Sequence, residues 1–408
     1  MLSANVLGQM IPFLVAPILA RIFSPVDFAV QANFLAIVNL LGIVATGRLE
    51  LAIPLPKEHR RAQDLVFTSG IITLALTFLS VLIPFFSVEI GEWYKDVILP
   101  DYLWLVPLSV MSVGVLGIAN NWILREQKYS VISAGKVAQS LVNNGLAAVL
   151  GYVGWGVSGL IIAWLISQFV NAGMLGAFVN RKISRTDFSH QTVTSTLSEF
   201  RDFPMINSLH AFTDVFVTQF LLFWLIAVNF GQIELGLFAL MYRYVRAPIV
   251  LITSSVSQLY YVEAGKALQE GKSALPMMMR TLRTTFMFAI PFIVVLLLFG
   301  PQLFRWYLGV EWEQAGEYAR CISPMLFLYF LVSPVSGTPI LCGKQKQAFL
   351  FSLIGYSLST LGLLSALFFN WKFSAALWMY SGAYSLYQVV LLVWYRQLIR
   401  PTTHADSH

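Results

Sequence analysis

The sequence predicts an all-α polytopic membrane protein, with about twelve transmembrane helices in two six-helix bundles around a central cavity. Three observations predict it. Of 408 residues, 57% are hydrophobic and only 11% are charged, against about 25% charge in a soluble domain, and the mean hydropathy is +0.72. Apolar runs of about 20 residues, the length that crosses a bilayer, recur along the whole chain. Basic residues alternate connection by connection between the two sides.

The runs place spans at 2–20, 28–53, 64–86, 102–124, 131–152, 155–179, 204–228, 235–260, 283–304, 318–341, 347–369 and 373–397. Met1 to Ala20 has no basic leading region and no small-residue cleavage site, so it is predicted as a retained first span. Prolines within several runs (Pro12, Pro17, Pro107, Pro248, Pro291, Pro334) predict kinked helices whose freed carbonyls find partners in neighbouring helices or water. A polar, Ser/Thr-rich stretch divides six spans from six. The predicted organisation is an N-terminal six-helix bundle over 1–180, a cytoplasmic linker over 181–203, a C-terminal six-helix bundle over 204–398 and a disordered tail over 399–408. Six spans per half give both halves one orientation, as in duplicated transporters whose site lies between the halves. Residue matches between the halves are weak, so the repeat rests on topology. Cys321 and Cys342 sit at opposite ends of one run, about 30 Å apart along a helix and beyond disulfide reach. Both read as packing residues.

With both termini cytoplasmic, 18 basic residues fall on cytoplasmic connections and five (Arg21, Lys95, Arg305, Arg320, Lys372) on the opposite side. This is the positive-inside pattern. It accounts for the net charge of +6 and removes nucleic-acid binding as its explanation.

Three arginines remain inside spans, where ionisable groups are costly and mostly face a cavity, a partner or a pathway. Arg48 and Glu50 close the second span. Counting out from the hairpin tip near Pro25 puts Arg48 close to the cytoplasmic face, within snorkelling reach of headgroups. Two residues apart on a helix, Arg48 and Glu50 point to different sides and are not expected to pair. An interfacial anchor and a ligand-binding role both remain open for them. Arg243 and Arg246 lie deeper, three apart and on one helix face of the eighth span. Hairpin counting places Asp214 of the seventh span about one turn from Arg246, where an ion pair would lower the burial cost and still leave net positive charge. His210 precedes Asp214 by one turn, as a proton relay or as a polar residue lining a wet cavity. Asn207 lies a turn before His210 on a similar face, and Asn5, Gln9, Asn39, Gln139, Asn143, Asn144, Gln168, Asn171 and Gln258 suit interhelical hydrogen bonds or a hydrated lumen for sugar.

Acidic residues collect on the outer side: Glu89, Glu92, Asp96 and Asp101, then Glu311, Glu313 and Glu317. They keep a membrane glycosyltransferase or polymerase open as an alternative. Against it, the outer connections show no His/Cys/Asp metal spacing, no Gly-rich phosphate loop and no nucleophile–base pair. No metal, cofactor or catalytic activity is expected.

Leu19-Ala-Arg-Ile-Phe-Ser-Pro-Val-Asp27-Phe28 resembles the turn between spans one and two of Wzx-type polysaccharide flippases. These belong to the multidrug/oligosaccharidyl-lipid/polysaccharide (MOP) exporter superfamily. Ala45-Thr-Gly-Arg48-Leu-Glu50-Leu-Ala-Ile-Pro-Leu-Pro56 is similar to their second-span motif, and Leu240-Met-Tyr-Arg243-Tyr-Val-Arg246-Ala-Pro248 to their eighth. An Ala-rich turn after Phe28 departs from the usual glycine. The resemblance implies two six-helix bundles flanking a cavity, and movement of undecaprenyl-diphosphate-linked oligosaccharide across the bacterial inner membrane by alternating access. It also implies an H⁺ or Na⁺ gradient, a role in O-antigen, capsule or related polysaccharide synthesis, and work beside a polymerase and a chain-length regulator. On this reading Arg243 and Arg246 contact the diphosphate, Asp214 tunes them, and Arg48 with Glu50 forms the cytoplasmic entrance. A multidrug antiporter of the same superfamily is the nearer rival; such pumps need intramembrane carboxylates, and here arginines outnumber Asp and Glu at depth.

Overall fold

The computed structural model describes residues 2–180, 190–201, 204 and 208–399, and every described element is helical. After α1 (Leu2–Ile22), the Ser24 hydroxyl accepts the Asp27 N–H, and the Asp27 carboxylate accepts the Ser24 N–H at 2.8 Å. This capping box, with Pro25 in the first turn, starts α2 (Pro25–Gly42).

The expectation of one helix through 28–53 is corrected here. The helix α2 stops at Gly42, turns occupy 43–48, and a single 3₁₀ turn covers Leu49–Ala52. The stretch between them ends in a pair of left-handed residues, Gly47 at φ 60° and Arg48 at φ 59°. Glycine adopts that region freely, but an arginine there costs about 1–2 kcal/mol. The surrounding contacts have to hold it.

The chain continues through α3 (His59–Ser80), α4 (Ser87–Tyr94), α5 (Val106–Arg125), α6 (Tyr129–Tyr152) and α7 (Val157–Asn180). A further helix, α8 (His190–Glu199), lies within the predicted linker, most of whose remainder falls outside the described residues. Span seven is composite: α9 (Ser208–Val215), a π-helical turn (Phe216–Leu221) and α10 (Leu222–Phe230). Then come α11 (Gln232–Gln269), α12 (Leu275–Leu308), α13 (Glu313–Val332), the short α14 (Thr338–Leu341), α15 (Gln345–Phe368) and α16 (Phe373–Leu398). Each of the twelve predicted spans coincides at least in part with helical structure among the described residues. Ten helices among the described residues are long and apolar enough to cross a membrane, and α1 and α6 occupy the other two positions. The predicted tail beyond Ile399 lies outside the described residues.

Two compact units emerge, Met1–Ala239 and Leu240–His408. Hydropathy alone groups span seven with the second half, whereas its contacts hold it in the first unit. Asn39 Nδ2 donates to Gln219 Oε1 at 3.0 Å, Lys95 Nζ to the Val228 carbonyl at 2.9 Å, and Trp224 Nε1 to the Trp93 carbonyl at 2.9 Å. At the start of α11, Gly236 presses so closely on the Pro25 carbonyl that a side chain has no room. Inside this unit Val30, Phe34 and Val38 pack with Leu103, Val110 and Ile161, and Leu49 and Ile53 pack with Leu65, Trp122 and Leu175. In lipid such contacts hold by van der Waals fit rather than by exclusion of water.

In the second unit α12 and α13 meet at two glycines. A Cβ on Gly300 would stand 2.6 Å from the Gly316 carbonyl oxygen, so backbone touches backbone. Tyr260, Met278, Val335, Leu391 and Tyr395 form its packed cluster. Both cysteines are free; Cys321 is buried and the Cys342 thiol faces the Leu398 carbonyl at 3.8 Å.

Candidate functional site

The broken end of the second span brings Arg48 and Glu50 together, which corrects the expectation that they point apart. Helical spacing does not apply to a left-handed residue followed by a 3₁₀ turn, and Arg48 Nη1 comes to 3.8 Å from Glu50 Oε1. Glu50 is buried and also accepts the Thr46 hydroxyl. The Arg48 side chain is 24% exposed, while its Nε is buried without a hydrogen-bond partner. A pair this long and partly wet contributes about 1 kcal/mol; it neutralises charge more than it locks geometry.

Beyond it, Arg125 at the end of α5 clasps the returning segment. Its guanidinium donates to the carbonyls of Ile53 at 3.5 Å, Pro56, and Lys57 at 3.2 Å. Sequence reasoning counted Arg125 only as a marker of topology. Its partners are backbone groups of a different connection, which no local pattern announces.

The deep arginines of α11 have unlike surroundings. Arg246 is half-buried among tyrosines. Its Cζ lies 5.4 Å from the Tyr242 ring centre and 5.5 Å from that of Tyr329, and Nη2 donates to the Tyr329 hydroxyl at 3.4 Å. Tyr380 and Tyr384 of α16 adjoin it, stacked with centroids 6.3 Å apart. Each close cation–π contact contributes about 0.5–2 kcal/mol. None of these phenols carries a compensating formal charge, so they hold the guanidinium without neutralising it. Arg243 is exposed, its charge beside buried Tyr244. Tyr329, Tyr380 and Tyr384 were absent from the sequence reading, although Tyr380, Tyr384 and Tyr387 recur at helical spacing along one face.

Asp214 and His210 lie on α9, in the first unit, while Arg243 and Arg246 lie in the second. The Asp214 carbonyl accepts the Thr218 hydroxyl at 2.7 Å at the entry to the π-helical turn. Such turns occur often at functional positions. Asn207 lies outside the described residues, as do the side chains of Asn5 and Gln9.

The amides of the sixth and fifth spans bond to one another. Gln139 Nε2 donates to Gln168 Oε1, and Asn171 Nδ2 donates to Gln139 Oε1 at 2.7 Å. Of the outer acids, three have structural contacts. Asp96 is buried and accepts the N–H groups of Ile98 and Leu99 and the amide of Asn33. Glu313 pairs with Arg305 at 3.2 Å and Glu317 with Arg320 at 2.8 Å.

Residues 18–317 match the model of a family described as polysaccharide biosynthesis proteins, and the chain belongs to that family. Its fold is that of MOP superfamily transporters. An inward-facing multidrug resistance MATE family transporter of that superfamily superposes with a TM-score of 0.68 at 14% identity, covering 100% of this chain and 96% of its own. An outward-facing MATE family transporter gives 0.65 at 16% identity, over 98% and 94%. A MOP superfamily transporter from Pyrococcus furiosus, whose binding pocket is described as reversed in polarity and suggestive of a different function, gives 0.66 at 15% identity, over 98% and 94%. No curated protein sequence matches the chain. Fold and apolar helices together define a multi-pass membrane protein.

Proposed function

We propose that the protein is a flippase that carries undecaprenyl-diphosphate-linked oligosaccharide repeat units across the bacterial inner membrane by alternating access, for surface polysaccharide synthesis. The observation that carries this reading is Arg246, a guanidinium held within a membrane span by uncharged phenols. A diphosphate cannot leave water for hydrocarbon without a large desolvation cost. An arginine, always charged and fork-shaped, replaces that hydration with directed donors. Family membership supports polysaccharide precursors as the cargo class. Arg246 and exposed Arg243 are assigned to the diphosphate, and Arg48 with Glu50 to the cytoplasmic entrance. Asp214 and His210 are assigned to charge compensation and to coupling with H⁺ or Na⁺. Lumen amides serve the sugars, and a polymerase and chain-length regulator act downstream.

A gene-deletion strain complemented with Arg246→Glu tests this. The expected result is lost surface polysaccharide with complete lipid-linked repeat units trapped on the inner leaflet. Normal export would overturn the arginine assignment. Drug sensitivity with intact polysaccharide would move the reading to a multidrug antiporter, and a lesion confined to Glu311→Gln would move it to an enzyme.

A further inference from the structure

A second cationic feature lies apart from the deep arginines, within the first unit. The segment after the broken span and the turn between α5 and α6 enclose an open cleft of about 590 Å³. Lys57, His59 and Arg125 line it, opposed by one acid, Glu126. The Arg125 guanidinium is held in the wall by donating from Nη1 and Nη2 to the neutral carbonyls of residues 53, 56 and 57. His59 is set edge-on against buried Trp122, ring centres 5.2 Å apart. Lys57 is exposed on the rim.

The cleft is also amphiphilic. Leu55, 62% exposed, lines it beside Lys57, and Leu51 on the 3₁₀ turn and Leu124 near the end of α5 are also exposed. A cleft of about 490 Å³ in the second unit makes the contrast: its Lys266, Lys272 and Arg280 are met by Glu263 and Glu270, with Lys272 2.7 Å from Glu270. Each cleft keeps one net positive charge, but Lys272 is tied up in that ion pair, whereas among the described residues no carboxylate pairs with Lys57.

We propose that the 54–59/125–127 cleft binds the phosphate of an anionic lipid headgroup, with Lys57 and His59 donating to the phosphate oxygens and Leu55 against the acyl or prenyl end. Charge-assisted hydrogen bonds to phosphate are short and strong, and an apolar wall beside them selects a phosphate that carries a hydrocarbon chain. The site does not depend on the transport reading, because a lipid bound here is recognised at the membrane surface and not moved by Arg246.

Full-length protein in zwitterionic phosphatidylcholine micelles, titrated with phosphatidylglycerol and read by native mass spectrometry, tests the assignment. Saturable phosphatidylglycerol adducts are expected, and Lys57→Gln should raise the half-saturating concentration about tenfold, the loss of one charged hydrogen bond. Lys57→Arg should restore binding. Arg60→Gln, a neighbouring exposed cation outside the cleft, should change it less than about fivefold, the contribution of one general surface charge. Equal losses in Lys57→Gln and Arg60→Gln would overturn the site in favour of diffuse basic charge. Displacement of the lipid by inorganic phosphate at equal concentration would overturn the lipid assignment.

Discussion

Spans two and eight hold the same ordinal place in the two halves of the chain, yet they carry their arginines in opposite ways. The second span breaks. Arg48 sits in left-handed backbone after α2 has ended and meets a carboxylate that an intact helix would turn elsewhere. The eighth span, α11, stays helical for 38 residues, and the rings of its own Tyr242 and of Tyr329 from α13 flank Arg246. One device cancels a charge near the end of a span, and the other keeps a charge inside a span. A neutralised arginine suits a hinge or an entrance; a charged one suits an anion.

Charge reversal at Arg246 should have the largest effect. Arg246→Glu is expected to cut export at least about thirtyfold, as when one partner of a desolvated pair is lost, measured as surface polysaccharide per cell at matched protein level. Glu50→Ala comes next. It leaves the Arg48 charge and the Thr46 hydroxyl without their buried acceptor, and should destabilise the purified protein by about 1–3 kcal/mol, read as a lower thermal midpoint in detergent. Gly47→Ala should destabilise it by about 1–2 kcal/mol through left-handed strain, with a Cβ also crowding Ile72 Cδ1 at 3.2 Å, again read as a lower midpoint. Arg48→Gly should change it little, because relieved strain offsets the lost pair. Tyr329→Phe is the smallest: the ring stays over the guanidinium and only a 3.4 Å hydrogen bond goes, so transport should fall less than about threefold, within one weak hydrogen bond. If Tyr329→Phe proved as damaging as Arg246→Glu, the phenol would be acting on the substrate itself.

Hydropathy and loop charge made the span count legible, because both are properties of composition over about 20 residues. The break in span two was not legible. Gly47 is visible in the sequence, but an arginine in the left-handed region is set by tertiary contacts, and the helical rule applied to Arg48 and Glu50 therefore gave the wrong geometry. The tyrosine surround of Arg246 was equally hidden, since Tyr329 and Tyr384 come from α13 and α16. The clasp of Arg125 on residues 53–57 joins two connections through backbone carbonyls, which carry no residue signature. Span seven was assigned to a half by counting, whereas Gln219, Trp224 and Gly236 tie it and the start of α11 to the first unit through single specific contacts.

The length of α11 and α12 has a practical consequence for topology. Their 38 and 34 residues reach about 57 and 51 Å, well beyond the roughly 30 Å of hydrocarbon. The positive-inside expectation puts the surplus at the end where Lys266, Lys272 and Arg280 are exposed, which predicts that the turn at Gly271, with φ 70°, projects beyond the headgroups. An epitope inserted after Lys272 should be reached by antibody or protease in inside-out vesicles and protected in intact spheroplasts, turning this hairpin into a reporter of which way the chain is threaded.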